Sequence, residues 1–207
     1  MTTRAGYMLS EVTIRCPDCA RNNKKSEARF IFSRVHKIQN KDLDYFQRSK
    51  SFEVRRFQDS CGGYWKGAVH YPGIGTALEA ATDLPEGYAP HHWKHRQGLL
   101  YFGYLKDTGV VHCRTCHRRK KHRLNWPEEA YFQVEYKGQT LWAYDREYAL
   151  KLLHYIDGTG RKKRLTGPNG EQDYHVQDFF LRKIPTHFQT AKARPIVVKK
   201  LRRVLDI

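Results

Sequence analysis

Glu11-Val-Thr-Ile-Arg15 alternates polar and apolar residues with the period of a half-buried strand and delivers the chain into Cys16. A polar stretch from Ala20 to Glu27 turns it back into Ala28-Arg-Phe-Ile-Phe-Ser-Arg-Val35, which reads as one second strand. The spacing from Asn40 or Lys41 to Ser49 predicts a short helix with Leu43 and Phe46 on one side. Phe52–Phe57 and Tyr64–Tyr71 predict two strands joined around Cys61-Gly62-Gly63. Gly73 to Ala81 has the composition of a short helix, and Leu84–Pro90 is loop by its breakers. Leu99–Leu105 and Gly109–Cys113 are apolar runs separated by a turn around Asp107-Thr108, and His122–Trp126 carries the chain away again.

The last third has the clearest periodicity. Tyr131–Tyr136 and Gln139–Tyr144 are alternating aromatic-rich strands around Lys137-Gly138, the length of a two-residue hairpin turn. Asp145 has the character of a helix N-cap, Ala149, Leu152, Leu153 and Ile156 fall on one helical face, and Gly158 is placed to end the helix. Gly160–Arg164 and the loop to Gly170 are polar, and Val176–Lys183 reads as helical. Pro195 opens a final helix with Val197, Leu201, Val204 and Leu205 inward and Lys199, Lys200, Arg202 and Arg203 outward. Strands up to about residue 144 and helices beyond make an α+β fold, divided into residues 1–126, with an insertion at about 20–110, and residues 127–207.

Charge changes the picture from fold to partner. The 207 residues carry a formal net charge of +17, which favours a polyanion: DNA, RNA or an acidic surface. The excess is +6 over residues 1–110 and +11 over 111–207, so the binding face is expected in the later half. The first ten residues lack the apolar core of a secretory signal, and no run of about 18 apolar residues spans a bilayer. A cytoplasmic protein is expected, nuclear in a eukaryote, with no membrane partner.

Four of the five cysteines form two Cys-x-x-Cys pairs, Cys16-Pro-Asp-Cys19 and Cys113-Arg-Thr-Cys116. Such a pair on a tight turn offers two thiolates to one tetrahedral ion, and two pairs fill all four positions of a zinc site. Ninety-three residues separate Cys19 from Cys113, so zinc would clip the base of a long folded excursion. Two half-sites completed by His112, His117 or His122, and reduced structural or redox cysteines, are the alternatives. A closed four-cysteine site leaves no position for water or substrate, so catalysis at this metal is not expected. Cys61 has no partner at ligand spacing and is read as a turn or core residue; His91, His92 and His95 are read as surface histidines beside a packed Trp93.

The strand–CxxC–strand layout over residues 11–35 and 108–126 resembles a zinc ribbon. That resemblance implies a zinc-ribbon-like β core with the long folded insertion, followed by the β-hairpin and C-terminal helices. Cys113-Arg-Thr-Cys116-His117-Arg-Arg-Lys120 also resembles the Cys-x-x-Cys-His-x-x-Lys ending of HNH endonucleases. Those enzymes need a catalytic histidine on a strand leading into a loop and helix, and His91-His92 is the dipeptide of that kind here.

Arg114, Arg118, Arg119, Lys120, Lys121 and Arg123 put six cations within ten residues without an acid, a run that repels itself unless a counter-charge is near. Arg161, Lys162, Lys163 and Arg164, and Lys199, Lys200, Arg202 and Arg203, add two further patches. Tyr131, Phe132, Trp142 and Tyr144 are candidates for stacking on bases, although alternation sends half of them to the core. The expected function is a zinc-stabilised nucleic-acid-binding protein. An HNH-like endonuclease and a non-enzymatic adaptor for an acidic protein partner are the alternatives.

Overall fold

The computed structural model describes residues 10–20, 22, 26–59, 61–95, 108–158, 181 and 184–207. The expectations for residues 1–9, Leu99–Leu105, Arg161–Arg164 with the loop to Gly170, and most of Val176–Lys183 lie outside that set. The chain is an α+β protein that divides into two units between Glu129 and Ala130.

In the first unit, β1 (Glu11–Arg15), β2 (Glu27–Phe32), β7 (Thr108–Cys113) and β8 (Arg119–Arg123) form one antiparallel sheet in the order β1-β2-β7-β8. A second antiparallel sheet, ordered β4-β5-β3-β6, comes from the segment between β2 and β7: β3 (Arg34–Lys37), β4 (Phe52–Gln58), β5 (Tyr64–His70) and β6 (Lys94–His95). The insertion expected between the cysteine pairs is thus largely a sheet of its own. Its face carrying Val35, Phe57, Val69 and Tyr71 packs with Val110 of the first sheet. Its other face is partly covered by a helical turn at Asn40–Asp42 and a helix over Leu43–Arg48, where Phe46, Ala68, Leu78, Tyr88 and Trp93 are buried together.

The single strand expected over Ala28–Val35 is two strands in two sheets. Ser33 is the corner: its backbone N–H and hydroxyl both donate to the Thr108 carbonyl at 3.1 Å, so this fully buried polar residue is satisfied while the chain changes sheets. Phe32 pairs with Gly109, where a Cβ would lie 2.2 Å from the Ile31 carbonyl; only glycine allows the two backbones that close. The helix expected within Gly73–Ala81 reduces to one 3-10 turn, Leu78–Ala80. His91 and His92 lie on a 3-10 turn before β6, exposed beside buried Trp93.

The second unit follows its sequence pattern closely. Strands β9 (Phe132–Tyr136) and β10 (Gln139–Ala143) pair through the turn at Lys137 and Gly138, both at positive φ as the two-residue primed turn requires. A helix over Arg146–Asp157 begins where the Asp145 carboxylate accepts the Tyr148 N–H at 2.9 Å and ends at Gly158 with φ 89°. The last helix, Arg194–Leu205, buries Val197, Val198, Leu201 and Leu205 in one cluster with Phe132, Val134, Leu152, Ile156 and Phe188.

Candidate metal centre and its basic surroundings

The two cysteine pairs meet because both occupy the same end of the first sheet. β1 ends at Arg15, and Cys16 leads into the single helical turn Pro17–Ala20, closed by the Ala20 N–H on the Cys16 carbonyl at 2.9 Å. Ala28 of β2 pairs with Ile14 on one side and with Cys113 on the other, which sets the second turn beside the first. The second turn is closed by the Cys113 N–H on the Arg118 carbonyl at 3.1 Å. His117 takes a left-handed φ of 54° there, a conformation for which glycine is the easier residue.

The ligand atoms of Cys16, Cys19, Cys113 and Cys116 all lie within 4.8 Å of one another. The Cys16–Cys116 and Cys19–Cys113 sulfurs are 3.8 Å apart. Sulfurs held at about 2.3 Å from a central ion in a tetrahedron are about 3.8 Å apart, whereas disulfide sulfurs lie at about 2.05 Å. The spacing is therefore that of a metal tetrad. The four cysteines fit an ion without a histidine, and His122, a possible completing ligand in the half-site alternative, turns its Nε2 to Glu129 at 2.9 and 3.0 Å.

Backbone amides point at these sulfurs, while burial and the sulfurs' own proximity hold the Cys16 and Cys116 thiols above their ordinary range. The Cys19 N–H approaches Cys16 Sγ at 3.5 Å, the N–H groups of Thr115 and Cys116 approach Cys113, and that of Arg118 approaches Cys116. Burial opposes the charge at Cys113, yet those amides and the neighbouring cysteines bring its pKa down to about 7. At Cys16 burial wins and pushes the thiol up to about 12. Four thiols packed this closely cannot all ionise alone, and a divalent cation that replaces their protons removes the conflict. Three of the four are buried and Cys116 is half-buried, so an ion held by all four would have no open position for water or substrate.

The basic run that follows Cys116 is itself β8, and its counter-charges come from elsewhere in the unit. Alternation sends its side chains to opposite faces. Lys120 reaches Asp18, inside the first cysteine turn, at 2.5 Å, and Arg118 lies 3.7 Å from the same carboxylate. On the other face Arg119 donates to the Gly73 carbonyl at 3.1 Å, while Lys121 meets Glu53 at 3.0 Å and sits 4.4 Å above the Tyr71 ring. Glu53 also holds Arg55, and these cations keep its carboxyl below the usual range despite partial burial. β8 is thus a seam, joining the metal turn to the second sheet. Arg114, Arg118, Arg119, Lys121 and Arg123 remain exposed.

On the last helix Lys200 donates to the Glu135 carbonyl at 2.6 Å and Arg202 pairs with Asp157 at 3.3 Å, with Lys199 and Arg203 exposed. Arg161, Lys162, Lys163 and Arg164 lie outside the described residues. Of the aromatics named as possible base platforms, Phe132 is core and Tyr131, Trp142 and Tyr144 are half-buried. Sequence reasoning missed Asp18 and Glu53. The first was visible as the acid within Cys-Pro-Asp-Cys; the second is distant in sequence and had no local signal. Comparisons with protein-family models, with curated proteins and with solved structures give no match for this chain.

Proposed function

We propose that this is a zinc-stabilised nucleic-acid-binding protein whose basic surface is anchored on the second cysteine turn. Four thiolates at tetrahedral spacing with no open position suit zinc, a borderline-soft ion without geometric demands of its own. The observation that carries the binding reading is the residue of charge at β8. Arg114, Arg118, Arg119, Lys120 and Lys121 face two carboxylates, Asp18 and Glu53, and Arg55 shares the second. Part of this excess offsets the charge of about −2 that a divalent ion on four thiolates carries. The remainder, on exposed arginines, is what a phosphate backbone would neutralise.

The nuclease alternative gains nothing from the described residues. Lys120 of the Cys-x-x-Cys-His-x-x-Lys run is engaged by Asp18, and His91 and His92 occupy a 3-10 turn, with His92 Nδ1 donating to the Gly87 carbonyl at 3.1 Å.

The test is a salt titration of binding to labelled single- and double-stranded DNA and RNA, with and without Mg²⁺. Affinity should fall steeply with salt, without cleavage, and Arg118→Ala with Arg119→Ala should flatten the log–log slope by about 1 to 2. Cleavage that appears only with Mg²⁺ would replace this reading by the nuclease. No binding near physiological salt, with tight binding of an acidic protein, would replace it by the adaptor.

A further inference from the structure

Among the described residues, Tyr64 is the one aromatic among the exposed large hydrophobics, with 61% of its surface in solvent. It opens β5, and its neighbours on the same face follow from the register. Gln58 pairs with Tyr64 and Arg56 pairs with Lys66, so Arg56, Gln58, Tyr64 and Lys66 form a square on one side of the β4–β5 hairpin, all exposed. The Arg56 guanidinium lies 3.8 Å from the Tyr64 ring centroid. The inner part of this face is different: Val54, Ala68 and Phe52 belong to the core cluster with Phe46, and only the outer part is left open.

The opposite face of the same hairpin carries Phe57 and Trp65, stacked at 4.4 Å within the interior. A strand pair that buries its aromatic pair on one side has no packing use for a further open tyrosine on the other. Among the described residues the hairpin's turn acid, Asp59, makes no ion pair with Arg56 or Lys66. Its Oδ1 accepts the N–H groups of Cys61 and Gly63 at 3.0 and 2.7 Å.

We infer that this square is a stacking site for an unpaired nucleobase, and that the nucleic acid recognised is single-stranded. The inference rests on the proposed function and deepens it. Tyr64 is 61% exposed with the Arg56 guanidinium over one face of its ring, so a base can stack on the part of this ring–guanidinium pair left in solvent. Lys66 and Arg56 supply positive charge for the phosphates on either side of the stacked base, and Gln58, whose Nε2 donates to the Gly62 carbonyl at 3.2 Å, offers its amide oxygen and second N–H to a base edge. In a duplex the bases are already stacked on one another and offer no such face. The site lies on the inserted sheet, away in sequence from the basic run, so it provides strand-type selectivity that Lys and Arg alone do not.

The experiment is fluorescence anisotropy on the full, zinc-loaded chain with a labelled oligothymidylate and oligouridylate of about 15 nucleotides and a duplex of equal length. Tyr64→Ala is expected to weaken single-strand binding about 5- to 100-fold, to change duplex binding less than about twofold, and to leave zinc content intact. Tyr64→Trp, which keeps a stacking face, should bind within about twofold of the parent. If Tyr64→Ala binds single strands like the parent while Arg118→Ala and Arg119→Ala weaken binding, the stacking site is wrong and the proposed function survives. If the parent binds no oligonucleotide, both fall.

Discussion

The two units of this chain reach a fold by different routes. Beyond Ala130 a two-residue hairpin runs straight into a capped helix, and the closing helix returns to them, Lys200 donating to the Glu135 carbonyl at a separation of 65, so that Phe132, Leu152 and Leu201 share one core. Before Glu129 the neighbouring pairs β1–β2, β4–β5 and β7–β8 are joined into sheets by distant ones. β2 pairs with β7 across 75 residues of intervening chain, and Cys16 meets Cys116 at a separation of 100. Joining distant strands costs loop-closure entropy that a local hairpin avoids. The first unit brings four sulfurs and a seam of charges at β8 to its distant junction; the second closes its own long connection mainly with apolar packing of the last helix. The lesson is that clustered thiols and charge accompany the long connection in the first unit, whereas a buried apolar face serves in the second.

Breaking the tetrad should separate the units most. Cys113→Ser, or prolonged chelation, removes a buried ligand and is expected to cost the first unit roughly its whole stability, on the order of 5–15 kcal/mol. Amide hydrogen exchange on the full chain would read this as lost protection in β1, β2, β7 and β8, with protection retained in the helices after residue 145. Uniform loss throughout would show that the contrast is false.

The reverse perturbation is smaller. Leu201 is 1% exposed in the core of the second unit, and Leu201→Ala should cost about 2–5 kcal/mol, with zinc stoichiometry unchanged. Asp145→Ala removes the carboxylate that accepts the Tyr148 N–H and should cost about 1 kcal/mol in denaturant unfolding. Both act within the second unit, so neither should alter the protection of the first sheet.

The weakest handle is pH, and it sharpens the comparison because it falls on the inserted sheet. His70 is buried, its Nε2 donates to the Thr76 carbonyl at 3.0 Å, and burial first, then Arg34, holds its pKa below the usual histidine range. A depressed histidine binds fewer protons folded than unfolded. Its contribution is present above the unfolded value of about 6.5 and is lost as pH falls through that value toward the folded one. Unfolding midpoints measured from pH 7.5 downward should therefore decline, and His70→Gln should flatten that part of the decline.

What was legible in the sequence follows the same division. The hairpin, the Asp145 cap and the Gly158 stop are set by contacts a few residues apart and stand where the sequence put them; the inward face of the last helix shows in its own helical period, although its partners Phe132 and Val134 are distant in sequence. The tetrad was legible for another reason: thiolate pairs at this spacing have one common use, however long the chain between them. Ser33 was not read as a corner: the apolar phase shifts there, from Ala28, Phe30 and Phe32 to Val35, but the change of sheet itself is defined only by the partner strands. Nor was the use of the basic run. Its composition announced charge, whereas its pairing with Asp18 and Glu53 depends on a second sheet folding over it. Tyr64 is the opposite case, an aromatic expected to serve a strand and found facing solvent.

The most direct test of the account is metal content. Protein purified without added metal or chelator should carry one equivalent of zinc per chain. Replacement by Co²⁺ should give the thiolate charge-transfer and ligand-field absorption of a tetrahedral four-sulfur site, absent in Cys113→Ser. Less than half an equivalent of zinc, or cobalt spectra unchanged by that substitution, would contradict the tetrad as the clip that holds the first unit together.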